Sequence, residues 1–116
     1  MATVPLNKFR RVSQLLDTTP QLIYQVPFDR AGILLIALGT NISPDIQTVT
    51  ISVSTINPLN GLNYVDLIKN VEIGAYDAAH LTIGKVVLTD GDYVYASSSN
   101  LSAINLTLSI LEAVNT

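Results

Sequence analysis

The side chains able to do acid–base, metal or nucleophilic chemistry are few in this sequence, and they are scattered. There is one histidine, His80, and no cysteine. A zinc site without thiolates needs several carboxylates gathered round an imidazole, and none cluster near His80 in sequence. His80 precedes an apolar stretch beginning at Leu81, which reads as the end of a strand. A Ser-His-Asp arrangement would need an exposed nucleophile, and no G-x-S-x-G elbow is present. Asp90 and Asp92 flank Gly91, a pair of hard oxygen donors of the kind calcium takes. The spacing of a helix-loop-helix calcium site is missing, and the simpler reading is turn chemistry. Asp66, Glu72 and Asp77 are too far apart to argue for the placed carboxylate pair of glycoside hydrolysis. The six glycines stand singly, so no loop is built to cradle phosphate. Tyr93 and Tyr95 project from one face of a strand, where they either stack on a sugar or pack on the protein. Asn41, Asn100 and Asn105 open Asn-x-Ser/Thr patterns, read as chance matches in a chain rich in these residues. No catalytic residue, cofactor or metal site is expected.

What the residues do specify is a set of strands. Ile104, Leu106, Leu108 and Ile110 alternate with Asn105, Thr107 and Ser109. Val49, Ile51 and Val53 alternate with Thr48, Thr50 and Ser52. A period of two is the mark of a half-buried β-strand. Phe9–Leu16 reads as a first strand, with Arg10, Val12 and Gln14 on one face and Phe9, Arg11 and Ser13 on the other. Further strands are expected at Leu22–Val26, Ile33–Leu38, Ile46–Ser54, Leu62–Ile73, Leu81–Leu88, Tyr93–Ser97 and Ile104–Val114. Tyr64, Leu67 and Val71 are expected in the core. Between the strands lie turn signals such as Asp17-Thr18-Thr19-Pro20, Asn57-Pro58-Leu59-Asn60-Gly61 and Asp90-Gly91-Asp92. No segment sustains a helical period. About eight short strands at this spacing predict an all-β domain, an antiparallel β-sandwich of jelly-roll type. Residues 1–8 read as an extended N-terminal arm and residues 9–116 as the sandwich.

The bulk numbers fit one domain. A chain of 116 residues buries roughly 65% of its unfolded surface and needs no covalent staples. Charged residues are 13% of the chain, about half the ordinary share of roughly 25%. Either partners cover much of the surface, or the exterior is simply rich in hydroxyl groups. The net charge is −3. Lys8, Arg10 and Arg11 are half of the six cations, and no acid precedes Asp17. That basic segment suits an acidic protein surface. It is too small for nucleic acid, where many phosphates must be neutralised. No signal peptide is read before Lys8, and no apolar run is long enough to span a bilayer.

The run Ile33-Leu34-Leu35-Ile36-Ala37-Leu38 does not alternate. A strand with no polar face is covered on both sides. The second cover is either a loop or arm of the same chain, or another subunit. In the subunit reading, Ile33, Leu35 and Ala37 face the partner.

Several segments in order carry a family resemblance. They are Ile23-Tyr24-Gln25-Val26-Pro27, Leu67-Ile68-Lys69-Asn70-Val71-Glu72-Ile73, Gly84-Lys85-Val86-Val87-Leu88-Thr89-Asp90-Gly91-Asp92, Ala96-Ser97 and Leu106-Thr107-Leu108-Ser109-Ile110-Leu111-Glu112. Over residues 9–113 the chain resembles small virion structural proteins of tailed bacteriophages. Those chains similarly run from an IYxxP strand through a GKLVLxxGD hairpin to a closing LSxLE strand. Val86 and Thr89 depart slightly from that pattern, and both suit a strand and turn. The resemblance implies a non-enzymatic component of the phage particle, made in the host cytoplasm. A capsid decoration, or cement, protein on the outer head surface fits best, with the major capsid protein as partner and a homotrimer as the favoured assembly. Lys8, Phe9, Arg10 and Arg11 are then the capsid contact, with Ile33, Leu35 and Ala37 at the subunit interface. The alternative is a spike, fibre or baseplate module that binds host glycans through Tyr93, Tyr95 and residues 57–61, and a third reading is a neck or tail adaptor. No nucleic acid and no membrane is expected among the partners.

Overall fold

The computed structural model describes residues 8–27, 29–54, 65–81 and 85–114. Nine strands form: β1 (Lys8–Leu15), β2 (Gln21–Gln25), β3 (Arg30–Asn41), β4 (Gln47–Ser54), β5 (Val65–Ile73), β6 (Ala78–His80), β7 (Val86–Leu88), β8 (Tyr93–Ser98) and β9 (Ile104–Val114). They lie in two antiparallel sheets. One has the order β1-β9-β3-β6, with β7 also paired to β3. The other has the order β2-β8-β4-β5.

The pairing has a simple logic. The first strand pairs with the last, β2 with β8, β3 with β6 and β7, and β4 with β5. The chain is therefore one long hairpin rolled up across two sheets. The pairs β3–β9 and β4–β8 close the roll. This is the expected jelly roll.

Alternation decides which side of each strand is buried. In β9, Ile104, Leu106, Leu108 and Ile110 are sealed from solvent, while Asn105 is exposed and Thr107 and Ser109 are half-buried. In β4 and β8, Val49, Ile51, Val94 and Ala96 point into the same core. Leu16, Val26, Leu34, Leu81 and Leu88 fill the space between the sheets. Leu67 and Val71 pack against this cluster from β5 but stay partly exposed, because β5 is an edge strand. Gly39 brings β3 close to the core. A methyl group there would sit 2.7 Å from Ile73 Cδ1 and 2.9 Å from Leu81 Cδ1.

Two details differ from the reading by periodicity. Of the strand expected over Leu81–Leu88, the described strand residues are Val86–Leu88, β7, and a further short strand that was not expected, β6, lies ahead of it at Ala78–His80; both share the edge of the long strand β3. The added β6 brings the strands among the described residues to nine. In addition, β3 carries a β-bulge: Leu34 faces Ile110 and Ile36 faces Ser109, so Leu35 is an extra residue. The expected hairpin tip at 57–61, Tyr64 and arm residues 1–7 lie outside the described residues.

Candidate interaction surface

The basic segment forms β1, a regular edge strand paired to β9 over eight positions without a shift. Its two faces differ, as the alternation predicts. Phe9 and Arg11 point outward, and Phe9 is 76% exposed. Arg10 turns toward the core side and donates from Nε to Glu112 Oε1 at 2.8 Å. Glu112 is completely buried, and Tyr24 on β2 donates its hydroxyl to the other carboxylate oxygen. Three strands from both sheets thus meet on one carboxylate. Burial alone would push the Glu112 carboxyl up. The bonds from Tyr24 and Arg10, with the charges of Arg10 and Arg30, overrule it and hold the group below the ordinary glutamate value. Arg10 is raised by its bond to Glu112. Burial, together with the same carboxylate, lifts Tyr24 well above the ordinary phenol range.

Arg10 is therefore tied to the fold of its own chain, with 45% of its side chain exposed. Lys8 and Arg11 are exposed and make no ion pair among the described residues. Glu112 is not among the candidates that residue type and spacing suggest, although the alternation of β9 continues to it. It sits on the inner phase of β9, in line with Leu106, Leu108 and Ile110.

The run Ile33–Leu38 lies inside its sheet, between β9 and the pair β6 and β7. Ile33 and Leu35 are half-buried on the outer side. Ala37 is not with them. The bulge at Leu35 reverses the phase, so Leu34 and Ala37 both point inward, and Ala37 is fully buried in the core. The outward set is Ile33, Leu35, Ile36 and Leu38, of which Ile36 is 44% exposed.

Register assembles a row that sequence spacing does not show. Phe9 faces Leu111, Leu111 faces Ile33, and Ile33 faces Val87. Four apolar residues thus cross β1, β9, β3 and β7 on the outer face, and the two at the ends are largely exposed. Ala113 and Ala31 continue the row on one side, and Arg11, Ser109 and Ile36 flank it on the other. No carboxylate projects outward from the described strands of this sheet. The outer face of the second sheet is different: Thr48, Thr50, Ser52, Asp66, Asn70 and Glu72 make it hydroxyl-rich and acidic.

The remaining candidates serve the fold. His80 ends β6 opposite Leu38. Asp92 is buried, and its Oδ2 accepts from the Thr89 amide at 2.8 Å and hydroxyl at 3.1 Å. Asp90 accepts from the Asp29 amide at 3.0 Å, and Gly91 takes φ +78° between them. Both carboxylates are thus turn-holding groups. Tyr93 and Tyr95 share a face with ring centroids 6.3 Å apart. Asn41 is buried, with its amide nitrogen donating to the carbonyls of Asp45 and Ile73. Among the described residues no group of three His, Cys, Asp or Glu side chains converges, and no buried side-chain polar atom lacks a hydrogen bond.

No protein-family model and no curated protein matches this chain in sequence. Solved structures do match. A chain from the structure of infectious bursal disease virus, Gx strain, aligns over 96% of this chain with a TM-score of 0.52 at 8% sequence identity. The aligned part is 37% of that viral chain, so this protein spans little more than a third of its neighbour's length. A chain from Bacillus endospore appendages, which form disulfide-linked pili, gives a TM-score of 0.44 at 9% identity, over 95% of this chain and 87% of that one. The viral likeness is one of fold: the same rolled hairpin, filled by different residues.

Proposed function

We propose that this chain is a non-enzymatic structural protein of a virus particle, and that it acts as a capsid decoration protein on the outer surface of a tailed phage head. The observation that carries the reading is the unpartnered apolar row Phe9–Leu111–Ile33–Val87, set on a rigid two-sheet body with Arg11 beside it. A surface of this kind favours burial against protein. The rolled-hairpin fold, found also in a chain of a virus structure, supports the same reading. So does the order of sequence motifs shared with phage virion proteins.

In this role the basic residues of β1 meet the major capsid protein. Arg11 supplies charge beside the apolar area of Phe9 on the outer face, Lys8 adds charge from the other phase of the strand, and Arg10 braces the strand from inside. The outer residues of β3, Ile33 and Leu35, belong to the contact between copies, with a trimer as the favoured assembly. Each site is weak alone, and a shell that offers many identical sites multiplies the binding.

The test is copy number on purified particles, by quantitative mass spectrometry. A decoration protein is present in hundreds of copies. A handful of copies would reject the role and move attention to the tail. Removing residues 1–8 should weaken particle binding, and unchanged binding would remove those residues, Lys8 included, from the proposed contact.

A further inference from the structure

The outer face of the first sheet has a counterpart on the same molecule. Four connections come together at one end of the sandwich: residues 16–20, 42–46, 74–77 and 99–103. Their backbones are stitched side by side. Tyr76 donates its amide to the Ser43 carbonyl at 3.2 Å, Asn41 to Asp77 at 2.8 Å and Ile42 to Ala103 at 2.9 Å. Beneath them Gln47, itself buried, accepts from Ser99 Oγ and Asn100 Nδ2 and donates to Ser43 Oγ. This end is therefore built and held.

Its surface is apolar and acidic. Ile42 is 50% exposed, Ile46 64%, Leu101 66% and Tyr76 72%. The charged residues of these connections are Asp17, half-buried, and Asp45 and Asp77, both exposed. The sheet face is the reverse: an apolar row with Arg11 beside it and no outward carboxylate among the described strand residues.

We infer that the two surfaces bind each other between copies, the sheet face of one chain seating the loop end of the next. This deepens the reading of Ile33 and Leu35 as a subunit contact and rests on it, extends that contact across the face to Phe9 and Arg11 in place of the capsid, and needs no capsid. Charge complementarity selects a second copy placed this way. In a face-to-face twofold pairing each surface would bring its Arg11 and neither a carboxylate. Size agrees. Four strands about 4.8 Å apart, with rows about 7 Å apart, give an apolar patch on the order of 300 Å². A stable interface takes about 800 Å² from each partner, so the patch serves as the centre and the charges as the rim. Two different surfaces make a heterologous contact, which propagates into a ring when the rotation closes.

The experiment uses the full chain and two variants. Phe9→Asp spoils the sheet face. Tyr76→Asp spoils the loop end and suits its backbone, since Tyr76 holds φ +54° and aspartate tolerates that region better than a bulky residue. Both sites are exposed, so unfolding midpoints should match the parent. Light scattering should give the parent a mass of several chains and each variant the 12.5 kDa of one. Mixing the variants should give twice that mass and nothing larger, because each retains the half that the other lacks. A monomeric parent, a variant that keeps the parental mass, or a mixture that stays monomeric would overturn the inference. Copy number on particles reports on the coat reading separately, since a monomeric decoration protein would still be abundant.

Discussion

Arg10 and Glu112 are 102 residues apart and joined by a 2.8 Å ion pair between the first strand and the last. The bond does more than add charge energy. β1 is an edge strand whose residues, Val12 apart, are exposed, so little apolar burial holds it. Glu112 anchors it to β9 and, through Tyr24, to the opposite sheet.

Removing the carboxylate should loosen that corner. Glu112→Ala leaves the Tyr24 hydroxyl buried without its acceptor and opens a cavity beside it. A loss of about 2–4 kcal/mol is expected, below the upper range for a broken buried pair because Arg10 still reaches water. Tyr24→Phe removes one charge-assisted bond and should cost about 1.5–3 kcal/mol. Urea unfolding midpoints measure both, and hydrogen exchange should show the loss concentrated in β1.

The pH dependence follows from the same group. The folded-state pKa of Glu112 lies below its unfolded value, so its contribution is complete above the unfolded value and disappears as pH falls through the folded one. Tyr24→Phe should therefore move acid unfolding to higher pH, while Glu112→Gln should flatten this part of the profile. An unchanged acid midpoint in Tyr24→Phe would contradict the network. At the alkaline end Tyr24 has a raised pKa, so its contribution is lost as pH climbs above about 10. Ultraviolet titration should show one tyrosine that ionises only on unfolding.

The bulge at Leu35 makes a prediction about neighbours in the run. Ala37→Leu pushes extra volume into the sealed core and should destabilise by about 1–3 kcal/mol. Ile33→Ser, on the outer side, should leave the isolated chain within about 0.5 kcal/mol of the parent. Equal effects at the two positions would mean that the strand has no bulge.

The loop end depends on Asn41. Its side chain satisfies two carbonyls and accepts from the amide and hydroxyl of Ser43 at 2.9 and 2.7 Å. Asn41→Leu should strand the buried Ile73 carbonyl and cost about 1–3 kcal/mol. Amide exchange in residues 42–46 and 74–77 should accelerate with it.

How much of this was open to a reader of the chain varies with the range of the interaction. The alternation of Ile104, Leu106, Leu108 and Ile110 states its own strand and its own buried face, because side-chain direction repeats every two residues in extended backbone. The Asp90-Gly91-Asp92 turn is equally local. The two faces of β1 were legible too, down to Arg10 and Arg11 pointing oppositely.

Register was not legible, since it is a relation between distant segments. The sequence determined the strands, their inward sides and the all-β class, because these depend on neighbours one and two residues away. Only the tertiary structure decided that Leu35 is an extra residue, sending Ala37 into the core. It also added β6 at Ala78–His80, paired to β3 beside β7. It alone set Phe9, Leu111, Ile33 and Val87 in one row, and Glu112 between Arg10 and Tyr24. Those contacts are fixed by how nine strands share one interior, and no single segment contains that constraint.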